Sequence, residues 1–159
     1  MAREKANRAL RLAKKGIRLG AGARCERCGA TDLRVLPRPR GRVLCENCRL
    51  IGRGLSPYQR HHPAGRKNDS FIVLIPANDH AVLSDMQNEW PRETLQNPKS
   101  DPLHLQAAWL RGRSNVLRHQ AEEAEQQAKT LEDLAQFFSE RAGEDWGEQF
   151  EAWRRERGK

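Results

Sequence analysis

Short apolar segments divided by glycine and proline fill the first half of the chain, whereas the second half has a helical pattern. Residues 2–15 are rich in alanine, leucine, lysine and arginine, which predicts a basic helix that stops at Gly16. Two short apolar groups separated by proline and glycine in residues 34–44 predict a hairpin. Residues 49–60 then have the composition of a loop or linker.

The middle of the chain changes from an extended to a helical pattern. An extended segment ends at the pair His61 and His62, and KND then predicts a turn. SFIVLI, residues 70–75, predicts a short apolar strand. AVLSDMQNEW, residues 81–90, predicts a helix that the following proline limits. The predicted order is therefore strand, turn, strand and helix.

The last third of the chain has the composition of helices. Residues 91–102 carry three prolines and are expected to be irregular, and residues 103–159 are expected to be helical. Thr130 could cap a new helix and so divide a single long one. Three glycines are expected to interrupt the helical region: Gly112, Gly143 and Gly147.

Part of this region also has a repeat of seven residues. The first positions of the repeat are Leu110, Leu117, Ala124, Leu131 and Phe138. Four residues after each come Ser114, Ala121, Ala128, Ala135 and Ala142. This is the a/d pattern of a coiled coil, although the small d residues would make a weakly stabilising seam. A homodimer through these helices and packing against the chain's own N-terminal half are both open.

Composition limits the size of the hydrophobic core. The chain has 159 residues, of which 37% are hydrophobic and 31% are charged. Small stapled units with exposed helices fit these values better than one large core. No apolar segment reaches the roughly 18 residues of a membrane span, and the basic N-terminus lacks the apolar region of a secretory signal. A cytoplasmic location is expected.

Charge divides the chain into a basic and an acidic half. Residues 1–70 contain 18 lysines and arginines against 5 acids, and residues 71–159 contain 11 against 16. A basic half with so few acids predicts a polyanionic partner, whereas a solvated charged surface explains the acidic half well and the basic half poorly. The helix at residues 2–15 could order on a phosphate backbone, and a frayed terminus is the alternative.

The chain has four cysteines, Cys25, Cys28, Cys45 and Cys48, which form two C-x-x-C pairs separated by 16 residues. A C-x-x-C turn supplies two of the four thiolates that tetrahedral Zn²⁺ requires. Two disulfides would need an oxidising compartment, and a redox site would need only one pair. The pattern therefore predicts a zinc ribbon in which four thiolates close the coordination sphere, so that the zinc is structural.

Arginines flank these cysteines and favour binding to phosphate groups. Protein contacts are the alternative, since zinc ribbons also mediate those. The flanking residues are Arg24, Arg27, Arg34, Arg38, Arg40, Arg42 and Arg49. Four of them, Arg24, Arg27, Arg40 and Arg42, are candidate nucleic-acid contacts, together with Arg60, Arg66 and Lys67 near the histidine pair.

The histidines are the candidates for reactive chemistry, because the cysteines can satisfy one another. Neighbouring side chains on a strand point to opposite faces, so His61 and His62 can have different roles. His80 is predicted near the start of the helix, with Asn78 or Asp79 as a possible cap. His104 and His119 lie outside this stretch and are expected on helix surfaces.

This order of residues resembles the HNH endonuclease family, whose ββα-metal unit is named for His, Asn and His. The matching residues are HH at 61–62, GRKN at 65–68 and the histidine of NDHAVLS at 80. The resemblance covers about residues 58–90 and implies a general base at His62. It also implies that His61 and His80 bind one divalent metal and that Asn68 fixes the loop that carries His62.

The chain departs from frequent family patterns at four positions. Pro76 and Asp79 stand where many members have a further C-x-x-C, so the upstream cysteines would have to provide the staple. His61 stands where the first metal ligand is often Asp. Ser84 stands where a third ligand is sometimes found and is a poor ligand, so water is expected in that place.

The chemistry that the resemblance implies is hydrolysis of a phosphodiester bond. Histidine can take a proton from water at neutral pH, and a divalent ion (Mg²⁺, Mn²⁺, Ni²⁺ or Zn²⁺) can stabilise charge on the phosphate and the leaving oxygen. The expected function is a DNA endonuclease of bacterial or phage type. The alternatives are a catalytically inactive zinc-ribbon protein of the same fold that binds DNA or RNA, and an interaction adaptor.

The predicted fold class is α+β, small and metal-stapled, with a zinc ribbon, a ββα-metal unit and a mostly helical C-terminal region. The expected divisions are a basic arm or helix at 1–24, the zinc ribbon and linker at 25–57, the HNH unit at 58–100 and the helical region at 101–159.

Overall fold

The computed structural model describes residues 2–37, 41–143 and 145–157, so the predicted phosphate contact Arg40 and its neighbour Arg38 lie outside the described residues. The helices and strands, in chain order, are α1 (Ala2–Leu19), α2 (Glu46–Ile51), β1 (Tyr58–His61), β2 (Val73–Pro76), α3 (Ala77–Gln87), α4 (Arg92–Gln96), α5 (Pro102–Ala142) and α6 (Trp146–Arg157). The chain divides into two compact units, residues 1–119 and 120–159.

A two-stranded sheet followed directly by a helix forms the centre of the first unit. Strands β1 and β2 are antiparallel, with Tyr58 opposite Pro76 and His61 opposite Val73. The predicted order of strand, turn, strand and helix is confirmed, and the fold is a small α+β arrangement. Helix α3 begins four residues earlier than the apolar pattern predicts, at Ala77, and no side chain caps it.

The hydrophobic core joins three of the four cysteines to α3. Cys25, Cys45 and Cys48 are buried together with Val35 and Leu36, and the buried face of α3 supplies the remaining members, Val82, Leu83 and Met86. A smaller core contains Ala64, Trp90 and Ala108. The cysteine region therefore packs directly on the helix that carries His80, and burial of apolar area stabilises both together.

The hairpin predicted for residues 34–44 is wrong for the described part of that segment, which contains no strand. Leu36 is fully buried, and the backbone N–H of Glu46 donates to the carbonyl of Val35 at 3.0 Å. The apolar residues of this segment fill the core instead of pairing with each other. Spacing alone does not separate these two uses of an apolar residue.

Two glycines that predicted helix ends lie inside helices. Helix α1 continues through Gly16 to Leu19, and α5 continues through Gly112. At Gly112 an added Cβ atom would lie 2.1 Å from the carbonyl oxygen of Pro63, so the glycine permits close packing of α5 against the loop after His62. The predicted interruption at Gly143 is confirmed, with a φ of +90° after the last residue of α5.

Two further expectations for the C-terminal half are wrong. Thr130 caps no helix, because its hydroxyl donates to the carbonyl of Gln126 at 2.8 Å within the continuous α5. Residues 91–102 are only partly irregular, since they include α4. The third glycine, Gly147, lies in the first turn of α6 and interrupts nothing.

Leucines of the seven-residue repeat are exposed in both units, Leu110 and Leu117 in the first and Leu131 in the second. Because these leucines are exposed, they are accessible to a second copy of the chain, and the homodimer stays a prediction. None of the helices within residues 2–37, 41–143 and 145–157 combines the length and the apolar character that a membrane crossing requires.

Helix α1 packs against the rest of the first unit through its C-terminal half. Arg11 forms a 3.4 Å ion pair with Asp85 of α3, and Lys15 donates to the carbonyl of Arg34 at 3.4 Å. Leu19 packs on the core that contains the cysteines. Burial lowers the pKa of Lys15, which is consistent with this contact.

Candidate functional site

The four cysteines converge on one point, and we call them the cysteine cluster. All four thiols are free, and their sulfur atoms lie within 4.8 Å of one another. The Sγ atoms of Cys28 and Cys45 are 3.6 Å apart, close to the roughly 3.8 Å between two thiolates on one tetrahedral Zn²⁺. The cysteine cluster can therefore hold a metal ion, and its donor set suits structural zinc.

The electrostatics of the cysteine cluster favour a bound cation. Burial raises the pKa of Cys48, and the thiols of Cys45 and Cys28 raise it further. Burial acts in the same direction at Cys25, but backbone N–H groups of Cys45 and Cys28 prevail and lower its pKa to about 6. One thiolate therefore forms readily at neutral pH, whereas Cys48 needs a cation to lose its proton.

His61 and His80 meet at the junction of β1 and α3. Their ring centres are 5.5 Å apart and the rings are nearly perpendicular. Two imidazoles on one ion place their ring centres roughly 5 Å apart, because each nitrogen lies about 2.1 Å from the ion. The pair is therefore close enough to bind one ion, although among the described residues no third histidine, cysteine or carboxylate completes a group with it.

Burial keeps this pair neutral. His61 is only 3% exposed. Burial, with a smaller contribution from the charges of His80 and His62, lowers the pKa of His61 to about 4. Burial also lowers the pKa of His80, an effect that the carboxylate of Glu46 partly offsets. Neutral imidazole is the form that binds metals, so both rings are ready to act as ligands at neutral pH.

His62 lies next to this pair and makes a different contact. Its Nδ1 atom is 3.2 Å from the backbone carbonyl of Asp69. A carbonyl can only accept, so Nδ1 is the donor of this contact, and in the neutral imidazole Nε2 then has the lone pair. This contact orients the ring and leaves one basic nitrogen.

Side-chain amides fix the loop between His62 and Asp69. The Nδ2 atom of Asn68 donates to the carbonyls of Ala64 and Thr94, both at 2.8 Å. The amide of Gln87 on α3 donates to the carbonyl of His62 at 2.7 Å. The structure therefore brings Asn68 to the loop of His62, and it adds Gln87, which the sequence pattern did not identify.

A reciprocal asparagine pair, Asn47 and Asn78, joins the cysteine cluster to α3. The backbone N–H of Asn47 donates to Oδ1 of Asn78 at 3.1 Å, and the N–H of Asn78 donates to Oδ1 of Asn47 at 3.0 Å. The side chain of Asn78 therefore binds α2 instead of capping α3. Asn47 lies between Cys45 and Cys48, and Asn78 precedes His80 by two residues, so the pair connects the two sites.

An open cleft of about 610 Å³ contains the histidines, and we call it the histidine cleft. Its lining residues are Arg60, His61, His62, Arg66, Ile72, His80, Ser84 and Gln87. Two of the predicted phosphate contacts thus lie beside the three histidines, and Lys67 is exposed on the adjoining loop.

The three predicted phosphate contacts near the cysteines that the structure describes are exposed, but their charges are not equivalent. Arg24 and Arg27 are exposed. Arg42 is also exposed, and its Nε atom donates to a carboxylate oxygen of Glu26 at 2.9 Å. Its charge is therefore already partly neutralised.

The two remaining histidines lie on α5 and differ in burial. His119 is buried, with Nε2 3.3 Å from a carboxylate oxygen of Asp79, which corrects the sequence-based expectation. His104 is half-buried. The contact between His119 of α5 and Asp79 of α3 cannot be predicted from the seven-residue repeat, which does not show that the two helices pack together at this point.

Comparison of the chain with known protein families, with curated proteins and with solved structures found no match. What the residues themselves establish is a small α+β fold with a cysteine cluster able to hold a metal ion.

Proposed function

We propose that this chain is a metal-dependent endonuclease of the HNH type that hydrolyses DNA phosphodiester bonds. The observation that carries the proposal is the arrangement of three imidazoles in the histidine cleft. The rings of buried His61 and partly buried His80 have centres 5.5 Å apart. The third, His62, is oriented by the carbonyl of Asp69 at 3.2 Å and keeps Nε2 as a base.

His62 would act as the general base. An imidazole can accept a proton from water at neutral pH, and the contact at Nδ1 leaves Nε2 to receive it. Asn68 and Gln87 would act as positioning residues, because they bind the backbone of the loop that carries His62 and contact no reacting atom.

His61 and His80 would hold one divalent ion. When bound, the ion would polarise the phosphate and stabilise the negative charge on the leaving oxygen. Two protein ligands leave room for the substrate, in contrast to the four thiols of the cysteine cluster, which would hold a structural zinc. Arg60 and Arg66 line the same cleft and would bind neighbouring phosphates.

Nicking of supercoiled plasmid DNA tests the proposal. Zinc-loaded protein is incubated with plasmid and Mg²⁺, Mn²⁺, Ni²⁺ or Zn²⁺, and open circles are measured on a gel. We expect nicking with at least one ion and a loss of about 100-fold or more in the rate for His62→Ala. His104→Ala, a histidine outside the cleft, is the matched control and should retain the rate.

Two results would overturn the proposal. One is a plasmid that wild-type protein leaves intact with all four ions, and the other is equal nicking by wild type and His62→Ala. If either occurred while binding to DNA persisted, the chain would be a binding module instead of a nuclease.

A further inference from the structure

An aromatic pair, Phe71 and Trp109, lies beside the loop that orients His62. Phe71 is 51% exposed and Trp109 is half-buried. Their ring centres are 5.5 Å apart, and the rings are tilted by 48°. Trp109 also packs on the small core that contains Ala64, so its ring is supported from below. Phe71 thus presents a large apolar surface to solvent, and Trp109 connects its ring to the small core.

Asp69 links this aromatic pair to His62. One carboxylate oxygen of Asp69 accepts from the indole N–H of Trp109 at 3.2 Å, and the other accepts from the backbone N–H of Phe71 at 2.8 Å. The backbone carbonyl of the same residue contacts Nδ1 of His62 at 3.2 Å. One residue therefore sets the positions of both aromatic residues and of the base, so their separation is fixed.

The aromatic pair is connected to the histidine cleft through Asp69, which contacts His62, and through Ile72. Ile72, the neighbour of Phe71, lines the cleft with Arg60 and Arg66. Lys67 is exposed on the loop between them. A ligand that extends from these cations to Phe71 needs anionic groups for the cations and a flat apolar group for the aromatic ring. A nucleotide whose base is free to stack has both.

We propose that Phe71, supported by Trp109, stacks on an unpaired base next to the phosphate in the histidine cleft, which makes single-stranded nucleic acid the preferred substrate. Stacking on an aromatic ring requires a base with an uncovered face, and in an intact duplex both faces are covered by neighbouring bases. The inference depends on the proposed function only for the place of the reacting phosphate. The stacking site itself stands on the aromatic pair and the cations beside it.

Binding to oligonucleotides of equal charge separates stacking from phosphate contacts. Dissociation constants are measured by fluorescence anisotropy for a labelled 12-nucleotide oligo(dT) and for a 12-mer of abasic deoxyribose phosphates. Zinc-loaded wild type is used with no other divalent ion added, and a gel confirms that the probe stays intact. We expect wild type to bind oligo(dT) roughly 5- to 100-fold more tightly than the abasic strand.

Variants at Phe71 show whether this ring provides the preference. Phe71→Ala and Phe71→Leu should bind both strands equally, and Phe71→Tyr should keep the preference. Tyr58→Ala is the matched control, because Tyr58 is a similarly exposed aromatic residue on the same hairpin at 57%. Thermal melting of each variant confirms that it is folded. A 12-nucleotide oligo(U), run in parallel, shows whether ribonucleotides are accepted too.

Equal affinity of wild type for both strands would overturn the inference, as would a preference that survives in Phe71→Ala or is lost equally in Tyr58→Ala. Failure of the nuclease proposal gives a different result. In that case no metal supports nicking, while the preference of wild type for oligo(dT) and its loss in Phe71→Ala persist.

Discussion

The cysteine cluster and the histidine cleft are connected through α3, and they differ in the number of donor groups they offer to a metal ion and in their access to solvent. The cluster brings four sulfur atoms within 4.8 Å of one another, three of its cysteines are buried, and its donor set is complete. The cleft brings together only two imidazoles, the buried ring of His61 and the partly buried ring of His80, and opens to solvent beside a third. A complete donor set leaves no position for a reacting group, whereas an incomplete one does.

The comparison also shows how one site supports the other. Cysteines of the cluster share a core with the buried face of α3, and the reciprocal asparagine pair joins α2 to the start of that helix. His80 lies in the first turns of α3. The cysteine cluster therefore helps to set the position of His80, the proposed metal ligand in the histidine cleft, and takes no part in the proposed reaction.

The largest effect should come from removing one cysteine ligand. Cys45→Ser should lose zinc and unfold the first unit, because zinc binding provides on the order of 10 kcal/mol in small zinc domains. His80→Gln removes a proposed ligand in the histidine cleft and should keep both the zinc and the fold. Zinc per chain and thermal unfolding by circular dichroism measure the two outcomes. If the Cys45→Ser protein unfolded at the same temperature as wild type, the structural role of the cysteine cluster would be contradicted.

The next effect concerns the loop that holds His62. Gly112→Ala places a Cβ atom 2.1 Å from the carbonyl oxygen of Pro63, so either α5 or the loop must move. We expect a loss of about 3 kcal/mol in the free energy of unfolding, with zinc content unchanged. Gly147→Ala is the matched helical control, since nothing lies within 4 Å of its added Cβ. Chemical denaturation measures both, and equal stability of the two variants would contradict the close packing.

Acid should destabilise the folded protein, because His61 is buried in its neutral form. Its folded pKa of about 4 lies below the ordinary 6.5, so between these values the unfolded chain binds the proton and the folded chain does not. The free energy of unfolding should therefore fall by up to about 3 kcal/mol as pH decreases from 6.5 to 4. Urea unfolding across this range measures the slope. His61→Asn should flatten it and His104→Asn should not; equal slopes in the two variants would contradict the assignment.

The smallest effect should come from the connection between the sites. Asn78→Ala removes the acceptor for the N–H of Asn47 and should lower the free energy of unfolding by about 1–2 kcal/mol. Asn88→Ala, at an exposed position after α3, is the control and should change it little. Urea denaturation compares them. A null effect of Asn78→Ala would show that the shared core alone connects the two sites.

The sequence predicts features that depend on short spacings between residues. It does not predict contacts between residues that lie far apart in the chain. The two C-x-x-C pairs predicted the cysteine cluster because ligand spacing reflects the geometry of one ion. The apolar segments around the histidine pair predicted the two strands and α3. Gln87 and the asparagine pair went unrecognised because their partners lie 25 and 31 residues away, and an amide in a sequence does not show which distant carbonyl or N–H it will bind.

Glycines show the same limit in a second way. Gly143 follows the end of α5 with a positive φ, whereas Gly112 lies inside α5 where the backbone of Pro63 comes close. Both needs select glycine, one for its backbone freedom and the other for its missing side chain. Only the packing of α5 on the loop after His62 distinguishes them.

Metal counting on folded protein tests the contrast between the two sites most directly. Zinc-loaded wild type and His80→Ala are dialysed against Ni²⁺, which binds imidazole well, and zinc and nickel per chain are then measured by atomic emission. We predict one zinc in both proteins, with one nickel in wild type and none in His80→Ala. Equal nickel in the two proteins, or nickel that enters only by displacing zinc, would contradict an open site at His61 and His80.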